Sequence, residues 1–278
     1  MKKIKVKGGL NIPLHGSVDN LNNLEEIRPK FNAVLSEDYF GLKPKILVRE
    51  GDVVDQASPL FEDKTNPGFN VRSPVAGKVH SINRGEKRAL VSIIIEATPD
   101  VDPKSCELSP NISQTLEMSG LWDSFRERPF NRVPGLNSSA DNIFINCCKQ
   151  DSLVLDPSVL IAEKSNYFIE GLKRVRELAK TNCYVVSNQE LNLAHEGCEF
   201  IIIEGNGQAG NTSAHIQALN PIRKSEKTWS IDWQDLIRIG KLFINQKVCS
   251  EKYISITGPS CSEPKIVLTN TGASMEEV

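Results

Sequence analysis

The sequence predicts a two-part α+β/α/β protein: a small folded-over β-barrel or sandwich, then an α/β domain with a largely parallel sheet. Three observations carry this. Residues 47–79 alternate apolar β-formers (Leu47, Val53, Leu60, Phe61) with turn residues (Gly51, Asp52, Pro59, Pro67, Gly68), the punctuation of short packed strands. From residue 142 onward, apolar strand-like runs alternate with helical patterns, as parallel sheets with covered faces require. Between them, residues 97–112 read ATPDVDPKSCELSPNI, rich in Pro, Asp and Ser, which is linker composition.

Taken in order, the first part closes on Ser73-Pro74-Val75-Ala76-Gly77-Lys78-Val79, followed by the strand-like Val91 to Ile95. After the linker, Gln114 to Phe125 places Leu116, Met118, Leu121, Trp122 and Phe125 at roughly helical spacing. Asn142 to Asn146 reads as a buried strand. Ser165 to Lys180 puts Phe168, Ile169, Leu172, Val175 and Leu178 on one face with basic residues opposite, an amphipathic helix. Cys183–Ser187 and Phe200–Glu204 read as strands, and Asp232–Phe243 as a helix with Asp232 as its N-cap. Tyr253–Thr257 and Lys265–Thr269 close the series as strands. The expected division is 1–100 for the β domain, 101–112 for the linker, 113–270 for the α/β domain, and 271–278 for the start of a missing further domain.

Composition sets limits. Charged residues make up 24% and hydrophobic ones 39%, ordinary for a globular chain. A net charge of −2 gives no electrostatic reason to expect nucleic acid. The longest apolar runs, Ile93-Ile94-Ile95 and Phe200–Ile203, fall far short of the roughly 18–20 residues that span a bilayer. The opening MKKIKVKGGL has no apolar core of a signal peptide, so a cytosolic chain is expected. The seven cysteines, at 106, 147, 148, 183, 198, 249 and 261, contain no C-x-x-C. Their odd number points to reduced thiols. Cys147 and Cys148 are adjacent, so a strand directs them to opposite faces.

Two candidate sites invite attention. Gly205-Asn206-Gly207-Gln208-Ala209-Gly210 is a formal G-x-G-x-x-G after the strand Phe200–Glu204, with Glu226 downstream, as a dinucleotide site requires. Yet Pro221 stops any following helix within about ten residues, too early for the long helix of that motif, and Glu226 sits in the charged run Arg223–Lys227. Gly205, Gly207 and Gly210 are therefore read as a surface turn. Of the four histidines at 15, 80, 195 and 215, none joins a ligand set or a nucleophile arrangement; His-x-Gln at 215–217 replaces any His-x-His pair. No catalytic residue, bound cofactor or metal is expected on this chain.

The run E-G-D-x-V, P-L, D-K and S-P-x-A-G-x-V within 50–79 resembles the biotinyl/lipoyl carrier fold, which makes Lys64 the position of the modified lysine. No Met flanks Lys64, and Pro67-Gly68 lengthens the loop, so the fold is expected without the modification. Wider blocks narrow the resemblance. They include Lys5–Pro13, Val48–Val54, Ser81–Arg88, Arg128-Pro129-Phe130, Thr212–His215 with Asn220-Pro221, Ile231–Asp235, Ile239–Phe243, Thr257-Gly258-Pro259 and Gly272–Val278. Together these resemble the A-subunit family of bacterial Na+-translocating NADH:quinone reductases (Na+-NQR). The resemblance implies a biotinyl/lipoyl-like barrel-sandwich domain and a Rossmann-like α/β domain related to the flavin subunit of complex I. It also implies a peripheral subunit on the cytoplasmic side of the membrane, partnered by membrane-embedded and other subunits. Flavins, Fe–S and NADH belong to those other subunits, and ubiquinone to an interface. The family continues beyond Gly272 into a β-grasp domain. The alternatives are the C-type electron-transport subunit of an Rnf complex and a lipoyl/biotinyl carrier. The segment Gln208–Ile216 resembles the quinone-reductase subunit and not the Rnf relative. Interface candidates are Arg84, Lys87 and Arg88 on a Gly-containing hairpin, with Tyr39, Phe40, Phe69 and Arg72 beside them.

Overall fold

A computed structural model describes residues 2–193 and 197–278; His195 lies outside them. The first half carries β1 (Lys2–Lys5), β2 (Leu24–Glu26), β3 (Phe31–Leu35), β4 (Pro44–Ile46) and β5 (Val53–Val54). It continues with β6 (Pro59–Asp63), β7 (Asn70–Arg72), β8 (Gly77–Arg84) and β9 (Leu90–Ala97). The second half runs α1 (Ile112–Met118), β10 (Arg126–Arg128), β11 (Ala140–Cys147), α2 (Pro157–Glu163), α3 (Ser165–Leu178) and β12 (Ala179–Ser187). Then come β13 (Glu199–Glu204), α4 (Thr212–Leu219), β14 (Thr228–Asp232), α5 (Trp233–Asn245), β15 (Glu251–Ile256) and β16 (Lys265–Asn270). None of the described helices is long and apolar enough to cross a membrane.

Two small sheets, β3-β9-β8-β5 and β4-β6-β7, form the barrel-sandwich. Their inward residues Leu60, Phe61, Phe69, Val71, Val79, Ile93 and Ile95 are at most 2% exposed. Phe69, a candidate for contact with a partner, is therefore a core residue of this domain. It ends a loop closed by a hydrogen bond from Phe69 N to Asn66 O at 3.0 Å.

The second sheet is β1-β13-β12-β11-β14-β10, parallel throughout except for β10. Alternation in β11 fills both of its faces. Ile143, Ile145 and Cys147 join the core beneath α2, α3 and α5, while Phe144 and Cys148 join a second cluster with Tyr184, Val186, Ile201 and Ile216 of α4. The adjacent cysteines do point to opposite faces. Asp232 caps α5 as expected, its side chain accepting from Gln234 N at 2.9 Å. The α3–α5 crossing is close because Gly171 and Gly240 face the opposite backbone: a Cβ on Gly240 collides with Tyr167 O, and one on Gly171 with Leu236 O.

Several expectations fail in instructive ways. The helical run over 114–125 breaks after Met118. Gly120 adopts φ +74, and Leu121 N bonds Leu116 O at 2.8 Å while Gly120 N bonds Glu117 O at 3.0 Å, a Schellman termination. β15 and β16 do not extend the parallel sheet. They pair antiparallel, with β2 parallel to β16, in a sheet of their own. The connection over 257–264 is too short for a crossover. The N-terminal strand also leaves the barrel: Lys2–Lys5 pairs parallel with Ile201–Glu204 at the edge of the large sheet. Residues 272–277 return to the first domain, where Ala33 N bonds Gly272 O at 2.7 Å and Ser274 N bonds Phe31 O at 3.0 Å. The 97–112 stretch is strapped down, with Val248 N on Lys104 O and Cys106 N on Gln246 O, both 2.8 Å.

Candidate functional site

From β11 the chain adds β12 and β13 on one side, then crosses to place β14 on the other. The strand order therefore reverses between β11 and β14, and open α/β sheets hold ligands at the carboxyl ends of the strands at such a point. A cleft of about 340 Å³ opens here, lined among others by Cys148, Gln150, Leu155, Asp232, Trp233 and Tyr253. Its walls are largely apolar, with a few convergent polar groups, as small-molecule sites are.

Asn146, 3% exposed, organises this end of the sheet. Its Nδ2 donates to Gly210 O at 2.9 Å and Thr212 Oγ1 at 3.0 Å, and its Oδ1 accepts from Cys148 N at 3.0 Å. His215 Nε2 lies 2.6 Å from Ala209 O. A carbonyl only accepts, so Nε2 carries the proton and cannot take one from Cys148 Sγ, 3.7 Å away. Burial pushes the Cys148 thiol up to about 12 and lowers the His215 imidazole below its usual value. Thiol and imidazole are thus both neutral, and the pair is no activated nucleophile.

The acid at the cleft is Asp232. Burial, and then the nearby Asp235 charge, raise its carboxyl to about 6. Burial acts the same way on Asp235, but Lys252 and Arg238 outweigh it and hold that group at about 2. Lys252 Nζ and Arg238 Nη1 stand 2.7 and 2.8 Å from Asp235 Oδ1. Two carboxylates on one helical turn are thereby set apart by their neighbours. For Asp232 the folded form binds the proton more tightly than the unfolded chain, whose value is near 3.8. Its native state is therefore penalised as pH rises from about 4 through 6, and the penalty is complete above. Asp232→Asn, which keeps the cap, is expected to stabilise the protein by about 1–2 kcal/mol at pH 8 and by almost nothing at pH 4. Urea unfolding at the two pH values checks this; an equal effect at both rules out titration of Asp232.

The glycine loop has a different use. A Cβ on Gly205 would stand 2.5 Å from Val6 O, one on Gly207 3.1 Å from Leu10 O, and one on Gly210 3.0 Å from Gln150 Cα. Asn206 Nδ2 donates to Gly9 O at 3.2 Å, and Gly8 and Gly9 lie against Gln208. The chain's own residues 6–10 occupy the approach a pyrophosphate needs, so the loop does not fit a dinucleotide. α4 ends at Leu219, before Pro221.

Lys64 is exposed at the start of the β6–β7 loop. That loop is no free hairpin. Asp63 holds Thr65 N and Lys43 N at 2.9 and 3.1 Å, and Asn66 Nδ2 donates to Pro134 O in the second domain at 3.3 Å. Arg84, Lys87 and Arg88 are all exposed on the β8–β9 hairpin, where Arg84 Nη1 reaches Arg88 O at 3.3 Å. Phe40 is 73% exposed, whereas Tyr39 turns inward and donates to Asp123 Oδ2 at 2.9 Å. Arg72 is spent within the molecule, forked onto Glu117 of α1 with Nη2 at 2.8 Å from both carboxylate oxygens. The structure brings Arg84, Lys87 and Arg88 together but places Lys64 and the glycines on separate sheets. Sequence reasoning missed the cleft, although the D-P-S at 156–158, where Asp156 caps α2 at Ser158 N, and Trp229 to Asp232 as a strand were both readable signals.

Among the described residues no cluster of three or more His, Cys, Asp or Glu side chains is set to hold a metal. The described residues thus build a barrel-sandwich joined to a largely parallel α/β sheet, with a cleft at the reversal of strand order. Comparison with known proteins makes this specific. Residues 4–98 match the NqrA N-terminal barrel-sandwich hybrid domain, and residues 109–248 the NqrA second α/β domain. The chain belongs to the NqrA family. Its relatives include the A subunits of the Na(+)-translocating NADH-quinone reductases of three bacteria. It is 34% identical to those of Actinobacillus pleuropneumoniae serotype 5b and Haemophilus influenzae strain Rd, and 35% identical to that of Vibrio anguillarum. Each alignment covers 99% of this chain and 64% of the relative, so the chain spans just under two thirds of their length.

Proposed function

We propose that this chain serves as the peripheral A-type subunit of a Na+-translocating NADH:ubiquinone reductase, on the cytoplasmic side of the membrane. There it supports ubiquinone reduction coupled to Na+ export. The colinear match over 99% of the chain to relatives bearing that name carries the reading. The protein acts by contact. NADH, the flavins and Fe–S centres belong to its partner subunits, and ubiquinone is met where this chain abuts the membrane-embedded part.

The exposed hairpin is the docking element this reading selects. Arg84, Lys87 and Arg88 are exposed with Glu86 on one strand turn, and exposed charges contribute little to stability while steering association. Reversing all three to Glu is expected to leave the melting temperature of the chain nearly unchanged. In the assembled complex it should weaken retention of this chain and lower quinone reduction more than NADH oxidation by an artificial acceptor. Intact assembly with unaltered quinone reduction removes the hairpin from the interface.

A further inference from the structure

Two cysteines stand side by side where β12 and β13 begin to pair. The strands are parallel, and their register opens with Tyr184 opposite Glu199. One residue earlier on each lie Cys183 and Cys198. Neighbouring strands run about 4.8 Å apart, inside the span of roughly 4.4–6.8 Å that a disulfide bridges between Cα atoms. In-register residues of parallel strands point to the same face, and Cys198 packs against the core cluster that contains Cys183.

Their access differs. Cys183 is 1% exposed, while Cys198 is only partly covered. A guanidinium lies beside them: Arg176 Nε is 2.9 Å from the point where a Cβ on Gly197 would stand. Hydrogen bonds from Arg176 Nη1 to Ala179 O at 2.6 Å and Nη2 to Thr181 O at 3.4 Å hold it there. A partly exposed sulfur, a guanidinium that opposes the rise of the Cys183 thiol caused by Cys198 and by burial, and a second sulfur within bridging reach are the features of a redox-active pair.

We infer that Cys183 and Cys198 form a peroxide-responsive dithiol, a modification site that closes into a disulfide across the starts of β12 and β13. This is independent of any assignment to a respiratory complex. The Cys198 thiolate attacks one oxygen of hydrogen peroxide; an S–O bond forms, the O–O bond breaks, and hydroxide leaves with the proton Cys198 released, as water. The Cys183 sulfur then attacks the Cys198 sulfur. The S–S bond forms, the S–O bond breaks, and the departing hydroxide takes the Cys183 proton as a second water. Two electrons and two protons pass from the pair to the peroxide, and residues 184–197 are closed into a covalent loop.

The test treats the folded chain with hydrogen peroxide at near-stoichiometric dose, alkylates remaining thiols after unfolding, and maps peptides without reduction. The expected product is one intramolecular crosslink joining the Cys183 and Cys198 peptides, lighter by two hydrogens and reversed by dithiothreitol. It should vanish in Cys198→Ser and persist in Cys261→Ser, whose thiol is also partly exposed. Cys183 is buried and its replacement risks the fold, so the mapping of the unaltered chain carries the decision. Cys198 oxidised to sulfinic acid with Cys183 still alkylatable overturns the inference, as does a disulfide between other cysteines or a fully reduced protein.

Discussion

Gly240→Ala is expected to destabilise the protein by about 2–4 kcal/mol, although alanine is the better helix former by about 1 kcal/mol. The two effects oppose, and geometry decides between them. Gly240 lies mid-helix in α5, and the added methyl meets Tyr167 O of α3, with Gly171 N at 3.0 Å behind it. The obstacle is backbone, which cannot rotate away as a side chain can. The helices must therefore separate, loosening the core between them, where Leu172, Leu236 and Ile239 are fully buried. Gly171→Ala should behave alike because its methyl faces Leu236 O. Thermal unfolding should show a melting point lower by about 5–12 °C. A neutral or raised melting point means the two helices yield to the methyl at little cost.

Glu117→Ala should cost about 3–5 kcal/mol. Arg72 and Glu117 are 14% and 11% exposed at their side chains, so removal of the carboxylate leaves a guanidinium with little water. Glu117 also accepts from Asn70 N and Nδ2 at 3.3 and 3.1 Å; Asn70 N loses that partner too, while Nδ2 keeps Gly68 O at 3.2 Å. The pair itself is not worth this amount, since two charges must be desolvated to form it. Arg72→Met combined with Glu117→Leu should accordingly recover much of the loss, although not the part due to Asn70. A double-mutant cycle by urea unfolding measures the coupling. Strictly additive losses rule out the pairing as its cause.

The sequence carried the parts of this fold that rest on local rules. Period and composition located α3, α5 and β11–β13, and the Asp232 cap could be read because a capping side chain bonds two residues downstream. What escaped it was pairing over distance. Nothing in MKKIKV says that Lys2–Lys5 will lie beside Ile201–Glu204, because the partner is chosen by burial of Ile4 on the second cluster. The Ser119-Gly120 stop was legible but overruled by an apolar spacing that continues through Phe125 into a 3-10 turn at Trp122–Ser124. At the candidate site the early Pro221 argued for a surface turn, but Gly210 is buried, and the close approach of residues 6–10 that crowds the loop is tertiary. The cleft was invisible for the same reason. Its residues come from the segment after β11, from α2, the β14–α5 junction, β15 and β16, which only the packing of two sheets brings together.

The pairing of β1 with β13 sets a timetable for biogenesis. A ribosome reaches Glu204 about 10–40 s after Lys5, at roughly 5–20 residues per second. For that interval the first strand has no partner and its backbone donors and acceptors are open to any strand edge on another nascent chain. Lys2, Lys3 and Lys5 of the strand and Lys7 just beyond it stay exposed even when folded, and such charges deter edge-to-edge association. The lysine-rich opening therefore acts as a placeholder, keeping the strand in solution until the sheet that receives it has been synthesised.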